Sequence, residues 1–234
     1  MYTYHTRVVA SCTDETRTQT LLSTVTMMQD CSILSLESEP TLSAWLDDAD
    51  AAMMVASREV EIRRRPRFGE RLAVRTWIYR MQSLMGYRNT CVFDEDGEAV
   101  AACWAVGVFY GFDERRALKV PERVVDSIDL QPAFDMAYGK RKIKLPDRVP
   151  RRLDPCTAQR SDIDLNGHVN NAQYVRMAFE RLPHDFEPTH MRITHDGQAK
   201  RGQTIHRTLY ETKDAYTFVL SGDADQTFAV VEFS

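Results

Sequence analysis

Residues 161–171, SDIDLNGHVNN, gather two acids, three asparagines and a histidine into eleven positions, and AQYVRMAFERLP follows with apolar residues at helical spacing. A carboxylate can take a proton, a histidine can orient or relay one, and a helix start offers free backbone N–H groups to a carbonyl becoming an oxyanion. In an extended segment side chains alternate, which predicts Asp162, Asp164, Asn166 and His168 on one face and Ile163 and Leu165 on the other, toward the core. Gly167 allows a bend, and Asn170 or Asn171 suits the helix cap. The same string also reads as a solvated turn before a helix, and at this level both readings stand.

The elements that position this segment come in two sets. VEIRRRPRFGERL, from Val60, lies over ITHDGQAKRGQTI, from Ile193: Gly69 falls on Gly202, Arg67 on Lys200, Glu70 on Gln203 and Leu72 on Ile205. Both run into Arg-Thr, at Arg75 and Arg207. Upstream, TDETRTQTLLSTVTMMQD lies on IDLNGHVNNAQYVRMAFE, with Asp14 over Asp164. CVFDEDGEAVAACWAVGVF reads as a hairpin turning at Asp96-Gly97, and FVLSGDADQTFAVVEFS repeats the pattern. Each half is therefore a first strand, one amphipathic helix and several hairpin-joined strands, an α+β arrangement in which the helix needs a sheet to cover its stripe. In the second half that stripe is Ala172, Val175, Phe179 and Leu182, stopped by Pro183. The prolines at 121, 132, 146 and 150 mark residues 116–150 as a connection between a first domain, 1–115, and a second, 151–234.

The chain has 234 residues, 43% hydrophobic and 27% charged, with net charge −4. That balance describes a folded globular protein and supplies no global pull toward nucleic acid or an anionic membrane. No apolar run approaches the roughly 18 residues that span a bilayer, and MYTYHTRVVASCTDE lacks the pattern of a secretory signal, so the expected location is cytoplasmic. Five cysteines, widely spaced and without a C-x-x-C pair, read as free thiols. His5, His184, His190, His195 and His206 show no metal-ligand spacing and read as structural or surface histidines, and no glycine-rich phosphate loop occurs, so no metal and no cofactor are expected.

DLNGHVNNAQY, followed about twenty residues later by ITHDGQAKRGQTI, resembles the second half of the acyl-acyl-carrier-protein thioesterases, which are built from two tandem hot-dog domains. REVEIRRRPRFGERLAVRTWIY, GYRNTCVFDEDGEAVAACWAVGVF and MMQDCS are similar to that family's N-terminal domain, so the likeness covers nearly the whole chain. The HVNN element alone is shared with single-domain acyl-CoA thioesterases of the same fold; two tandem halves favour the carrier-protein family.

The resemblance implies hydrolysis of fatty acyl-acyl carrier protein at Asp164, Asn166 and His168, with acyl carrier protein as partner. Asp164 would be base or nucleophile, and N–H groups near Val169 and Asn170 would meet the oxyanion. The family's glutamate, followed in some members by cysteine, falls on Gln198 and Ala199; an amide hydrogen-bonds but accepts no proton as a carboxylate does. Opposite the strip the first half has Asp14, Thr16 and Thr18, which leaves it to hold the acyl chain, with Met27, Met28, Met53 and Met54 as an adaptable lining or plain core. Arg63-Arg64-Arg65 with Arg67, and Lys140-Arg141-Lys142, are docking candidates for an acidic carrier or solvated strand ends. Acyl-CoA hydrolysis and non-catalytic acyl binding are the alternatives, and tandem pairs can join through sheet edges into a homodimer.

Overall fold

The computed structural model describes residues 1–223 and 226–234. It divides into two compact units, Met1–Ala56 with Val60–Gly139, and Ser57–Glu59 with Lys140–Ser234. In the first, β1 (Tyr2–Arg7) leads through a 3-10 turn to α1 (Leu21–Leu34), a second 3-10 turn (Ser35–Ser38) and α2 (Pro40–Asp48). Then come β2 (Ala51–Ile62), whose Ser57–Glu59 cluster with the second unit, β3 (Arg71–Gln82), β4 (Met85–Phe93), β5 (Ala99–Gly111), the two-residue β6 (Arg116–Ala117) and α3 (Glu122–Asp126). The second unit has β7 (Arg151–Thr157), a 3-10 turn (Arg160–Asp162), α4 (Asn171–Phe179), β8 (His190–His195), β9 (Thr204–Glu211), β10 (Tyr216–Ser221) and β11 (Thr227–Phe233).

The strand orders are β1-β3-β4-β5-β2 and β7-β9-β10-β11-β8, one topology used twice. Each unit is a hot-dog unit, an antiparallel sheet with a helix after its first strand. Leu21, Val25, Met28 and Cys31 are the buried apolar residues of α1; Ala172, Tyr174, Val175, Met177 and Ala178 are those of α4. The α4 helix stops at Phe179, so Leu182 lies beyond it and the helix ends before Pro183 forces it to.

The hydrogen bonds repeat with the topology. Val8 donates to the Glu70 carbonyl and Gly69 to that of Val8, both at 2.9 Å; Ala158 donates to Gln203 at 3.0 Å and Gly202 to Ala158 at 2.9 Å. Gly69 and Gly202 have φ of +92° and +83°, a conformation glycine reaches without Cβ strain. The turn of the second half's last hairpin falls partly on Ala224 and Asp225, outside the described residues, but β10 and β11 on either side pair antiparallel.

Residues 116–150 are not a spacer. Residues 116–139 cluster with the first unit and 140–150 with the second. Leu118, Val120, Val124 and Ile128 join Leu42, Trp45 and Phe109 in one core, which the proline spacing did not reveal. Further on, Trp77 Nε1 donates to the Pro132 carbonyl at 2.8 Å, and Asn89 Oδ1 accepts from Phe134 N (3.1 Å) and Tyr138 Oη (3.0 Å). Residues 132–138 thereby cover the sheet face opposite α1, which is why β4 and β5 show runs of buried residues rather than alternation.

Candidate active site

The polar segment is a closed turn, which corrects the expectation of an extended strip. Ile163 and Val169 form an antiparallel bridge. Asp164 N donates to the His168 carbonyl (2.8 Å), Gly167 N donates to the Asp164 carbonyl (3.1 Å), and Gly167 has φ of +76°. Asp164 Oδ1 accepts the backbone N–H groups of Asn166 (2.9 Å) and His168 (3.3 Å). An aspartate that can bond its own backbone two and four residues on competes with the strand for this segment, and the glycine lets it win. Leu165, expected to face the core, is fully exposed, and Asn166 is exposed.

Asp162 leaves the predicted strip altogether. Its buried carboxylate accepts Gln159 N through Oδ2 (2.7 Å) and Arg176 Nη2 through Oδ1 (2.8 Å), fastening the turn to α4. The remaining predicted residues stay near one another. Val169 N donates to the Ala199 carbonyl (2.8 Å) and Ala199 N donates to Tyr174 Oη (2.8 Å), which hold the Gln198-Ala199 turn against the start of α4. Gln198 is half-buried there. Burial pushes the Tyr174 phenol up to about 12, against the lowering effect of the Ala199 amide, and the Asp164 charge adds to the rise.

The amides expected to receive an oxyanion are occupied, because Val169 N is bound to Ala199 and Asn170 N to the Asp162 carbonyl (2.8 Å). Asn170 is the cap, its Oδ1 accepting Ala172 N (2.9 Å) while its carbonyl accepts Gln173 N (2.8 Å). The Asn171 amide, first in the helix, keeps no acceptor among the described residues. Asp164 Oδ2 likewise accepts no hydrogen bond there. One carboxylate oxygen is anchored, the other is open.

Two residues acquire a place that sequence reasoning did not give them. Tyr174 is the post to which the second turn is tied. His195, read as structural or surface, has its ring centroid 5.8 Å from that of Tyr174. Burial, with Arg58 adding to it, lowers the His195 imidazole to about 3, so it is neutral at ordinary pH. His195 Nε2 and His168 Nδ1 are buried nitrogens without a hydrogen-bond partner among the described residues. Only the apolar-strand spacing around His195 hinted at burial. Among the described residues no three His, Cys, Asp or Glu side chains gather to hold a metal ion.

The first unit carries the same turn with different chemistry. Asp14 Oδ1 accepts Thr16 N (2.9 Å), Thr16 Oγ1 (2.6 Å) and Thr18 N (3.1 Å), and Arg17 stands at φ +64° where the second unit has Gly167. Burial acts to raise the Asp14 carboxyl, but the Thr16 and Thr18 hydrogen bonds and the Arg65 charge hold it below the ordinary value. Arg65 occupies the register position of Gln198, and no histidine is present in the turn.

A cleft of about 470 Å³ lies in the first unit beside β1 and α1, lined by Tyr4, Val8, Leu22, Met27, Asp30 and Leu72 among others. Met28 is buried core, and Met53 packs over Gly107, where a Cβ would stand 2.6 Å from its Cγ. A smaller cleft of about 240 Å³ in the second unit runs along Arg152, Leu153, His206 and Arg207. Neither is lined by Asp164.

Two family models match the chain: the acyl-ACP thioesterase N-terminal domain over residues 1–128 and the acyl-ACP thioesterase C-terminal domain over residues 151–231. A chloroplastic acyl-[acyl-carrier-protein] hydrolase of Cuphea viscosissima is 28% identical over 143 residues, 57% of this chain and 34% of that protein. The chain spans about a third to a half of the length of the curated relatives it matches. Among solved structures, an acyl-ACP thioesterase from Bacteroides thetaiotaomicron superposes with TM-score 0.89 at 17% identity, covering 99% of this chain and 96% of that one. The 12:0-ACP thioesterase from Umbellularia californica gives TM-score 0.87 at 18% identity, covering 100% and 96%. At such identities the structural likeness speaks for the fold alone.

Proposed function

The chain belongs to the acyl-ACP thioesterase family, and from that premise we propose that it hydrolyses fatty acyl-acyl carrier protein to free fatty acid and carrier protein. The observation that carries this reading is the Asp164 carboxylate, held through Oδ1 by two amides of its own turn with Oδ2 open, at the entrance to α4. A water bound at Oδ2 gives up a proton to it and attacks the thioester carbon. The carbonyl oxygen, gaining charge, is met by the Asn171 N–H at the positive end of the helix. Collapse breaks the carbon–sulfur bond, and the proton held on Asp164 passes to the departing thiolate.

His168 has its own amide fixed by Asp164 and keeps a buried Nδ1 with no hydrogen-bond partner among the described residues, available to orient a reacting group. Asn166 contributes through its backbone N–H, and Gln198 offers a hydrogen bond but no base. The first-unit cleft, with Met27 on its wall, supports acyl-chain binding in that unit.

The test is thiol release from acyl-carrier-protein and acyl-CoA thioesters of several chain lengths. Carrier-linked substrates should turn over faster. Asp164→Asn keeps the Oδ1 acceptor that builds the turn, so its melting temperature should hold while kcat falls by about 10²- to 10⁴-fold. No release from any thioester would refute the reading, and full activity in the variant would remove Asp164 from it.

A further inference from the structure

Two arginines, one in each unit, are buried near the C-terminal end of that unit's helix, and they are satisfied differently. In the second unit Arg207 Nε and Nη2 both donate to the Asp154 carbonyl, at 2.9 and 2.5 Å, and Nη1 reaches the Met177 carbonyl of α4 at 3.4 Å. Every edge of that guanidinium is in use. In the first unit Arg88, on β4 and 5% exposed, donates through Nη1 to Ser35 Oγ (2.6 Å) and Thr76 Oγ1 (3.2 Å). Its Nε and Nη2 are buried and have no partner among the described residues.

The unfilled side of Arg88 is the Nε–H and Nη2–H pair, two parallel donors spaced to match the two oxygens of a carboxylate. A buried donor without a partner is costly, and a buried guanidinium more so. Its neighbours do not discharge it. Burial pushes the Cys31 thiol up to about 11, against the pull of Arg88, so it is neutral. Glu39 is raised by burial despite feeling the Arg88 charge, and no ion pair joins the two among the described residues. Ser35 Oγ gives its own proton to the Ser32 carbonyl (2.7 Å), and Thr76 Oγ1 gives its own to Asn89 O (3.0 Å) and also lies 2.8 Å from Thr90 Oγ1. The hydroxyls fix the arginine from one side only. Those two hydroxyls account for Nη1 and leave the opposite edge unexplained.

We propose that the Nε/Nη2 edge of Arg88 is a carboxylate-binding site in the first unit, made to receive a carboxylate carried on an acyl chain. Naming an acyl chain as the carrier rests on the proposed function; the carboxylate site itself does not. Two sources share this chemistry, a free fatty acid and an acyl thioester whose far end bears a second carboxylate.

Binding of dodecanoate and of dodecan-1-ol to the purified full chain is compared by titration calorimetry. The acid should bind at least about 10-fold tighter, the worth of a charge-assisted pair. Arg88→Lys keeps the charge but loses the parallel donors and should abolish that preference, with folding checked by circular dichroism; Arg88→Gln, with a smaller neutral amide, should do the same. Equal binding of acid and alcohol, or a preference that survives both substitutions, overturns the proposal. With N-acetylcysteamine thioesters, a higher kcat/KM for the ω-carboxydodecanoyl over the dodecanoyl compound identifies the far-end carboxylate. Competitive inhibition by dodecanoate that weakens in Arg88→Lys identifies the free acid. Absence of all thioester hydrolysis would sink the proposed function while leaving the acid-over-alcohol comparison able to decide this site.

Discussion

A neutral imidazole at position 195, half-buried with its Nε2 enclosed, makes the protein sensitive to acid in a calculable way. In the unfolded chain a histidine takes up its proton near pH 6.5, whereas the folded protein holds His195 at about 3, by burial and by Arg58. Between those values the unfolded state binds more protons, so stability is full above about pH 6.5 and erodes as pH falls toward 3. From pH 7.5 to 5.5 this costs about 1.4 kcal/mol, and because both pH values lie well above the folded value, moving the latter by a unit barely alters the figure. For a chain of this size that is roughly 3 to 6 °C in melting temperature. His195→Phe keeps a ring against Tyr174 and removes the titration. The other histidines are common to both proteins, so the difference in pH slope between wild type and variant isolates His195. Melting curves at pH 7.5, 6.5 and 5.5 would show it, and the His195 Cε1 proton should not titrate between pH 7.5 and 5. Parallel pH slopes in the two proteins, or an imidazole titrating near 6.5, would refute the reasoning.

Tyr174→Phe strands the buried Ala199 amide, which now donates to the phenol; urea unfolding should register a loss of about 1 to 3 kcal/mol, with Asn171 and Asp164 left in place but the second turn loosened. Arg176→Met deprives the Asp162 carboxylate of its charged partner, while Gln159 N remains. Because Arg176 is itself about a third exposed, the expected cost is discounted to about 2 kcal/mol, and restoring most of it in the double variant Arg176→Met with Asp162→Asn would confirm that the stranded charge is the cause.

The duplication was legible because turns are chemically specific. Gly69 and Gly202 both need positive φ, and Glu70 and Gln203 both accept an amide three residues back, from Arg67 and Lys200. Such requirements survive when the apolar residues around them drift. The fine structure of the site was not legible, because alternation presumes an extended chain and the aspartate's hydrogen bonds to its own backbone cancel that presumption. Which amides stay unpaired depended on Ala199 and Asp162, one distant in sequence and one assigned to the wrong role. His195 lacked a motif altogether, since its setting is made by Tyr174 and Arg58 from other elements. The proline-marked connection misled for a related reason: prolines report the absence of regular strands, and Leu118 to Ile128 can fill a core without one.

The turn built on Asp14 and the turn built on Asp164 share one architecture, although only the second stands beside a histidine. An acid at this place is first of all masonry, needed for the chain to round the corner whether or not anything is hydrolysed. Any catalytic duty at Asp164 falls to the oxygen that the masonry leaves over. A sequence bearing the aspartate has thus inherited a corner, and its neighbours decide whether the corner became a workplace.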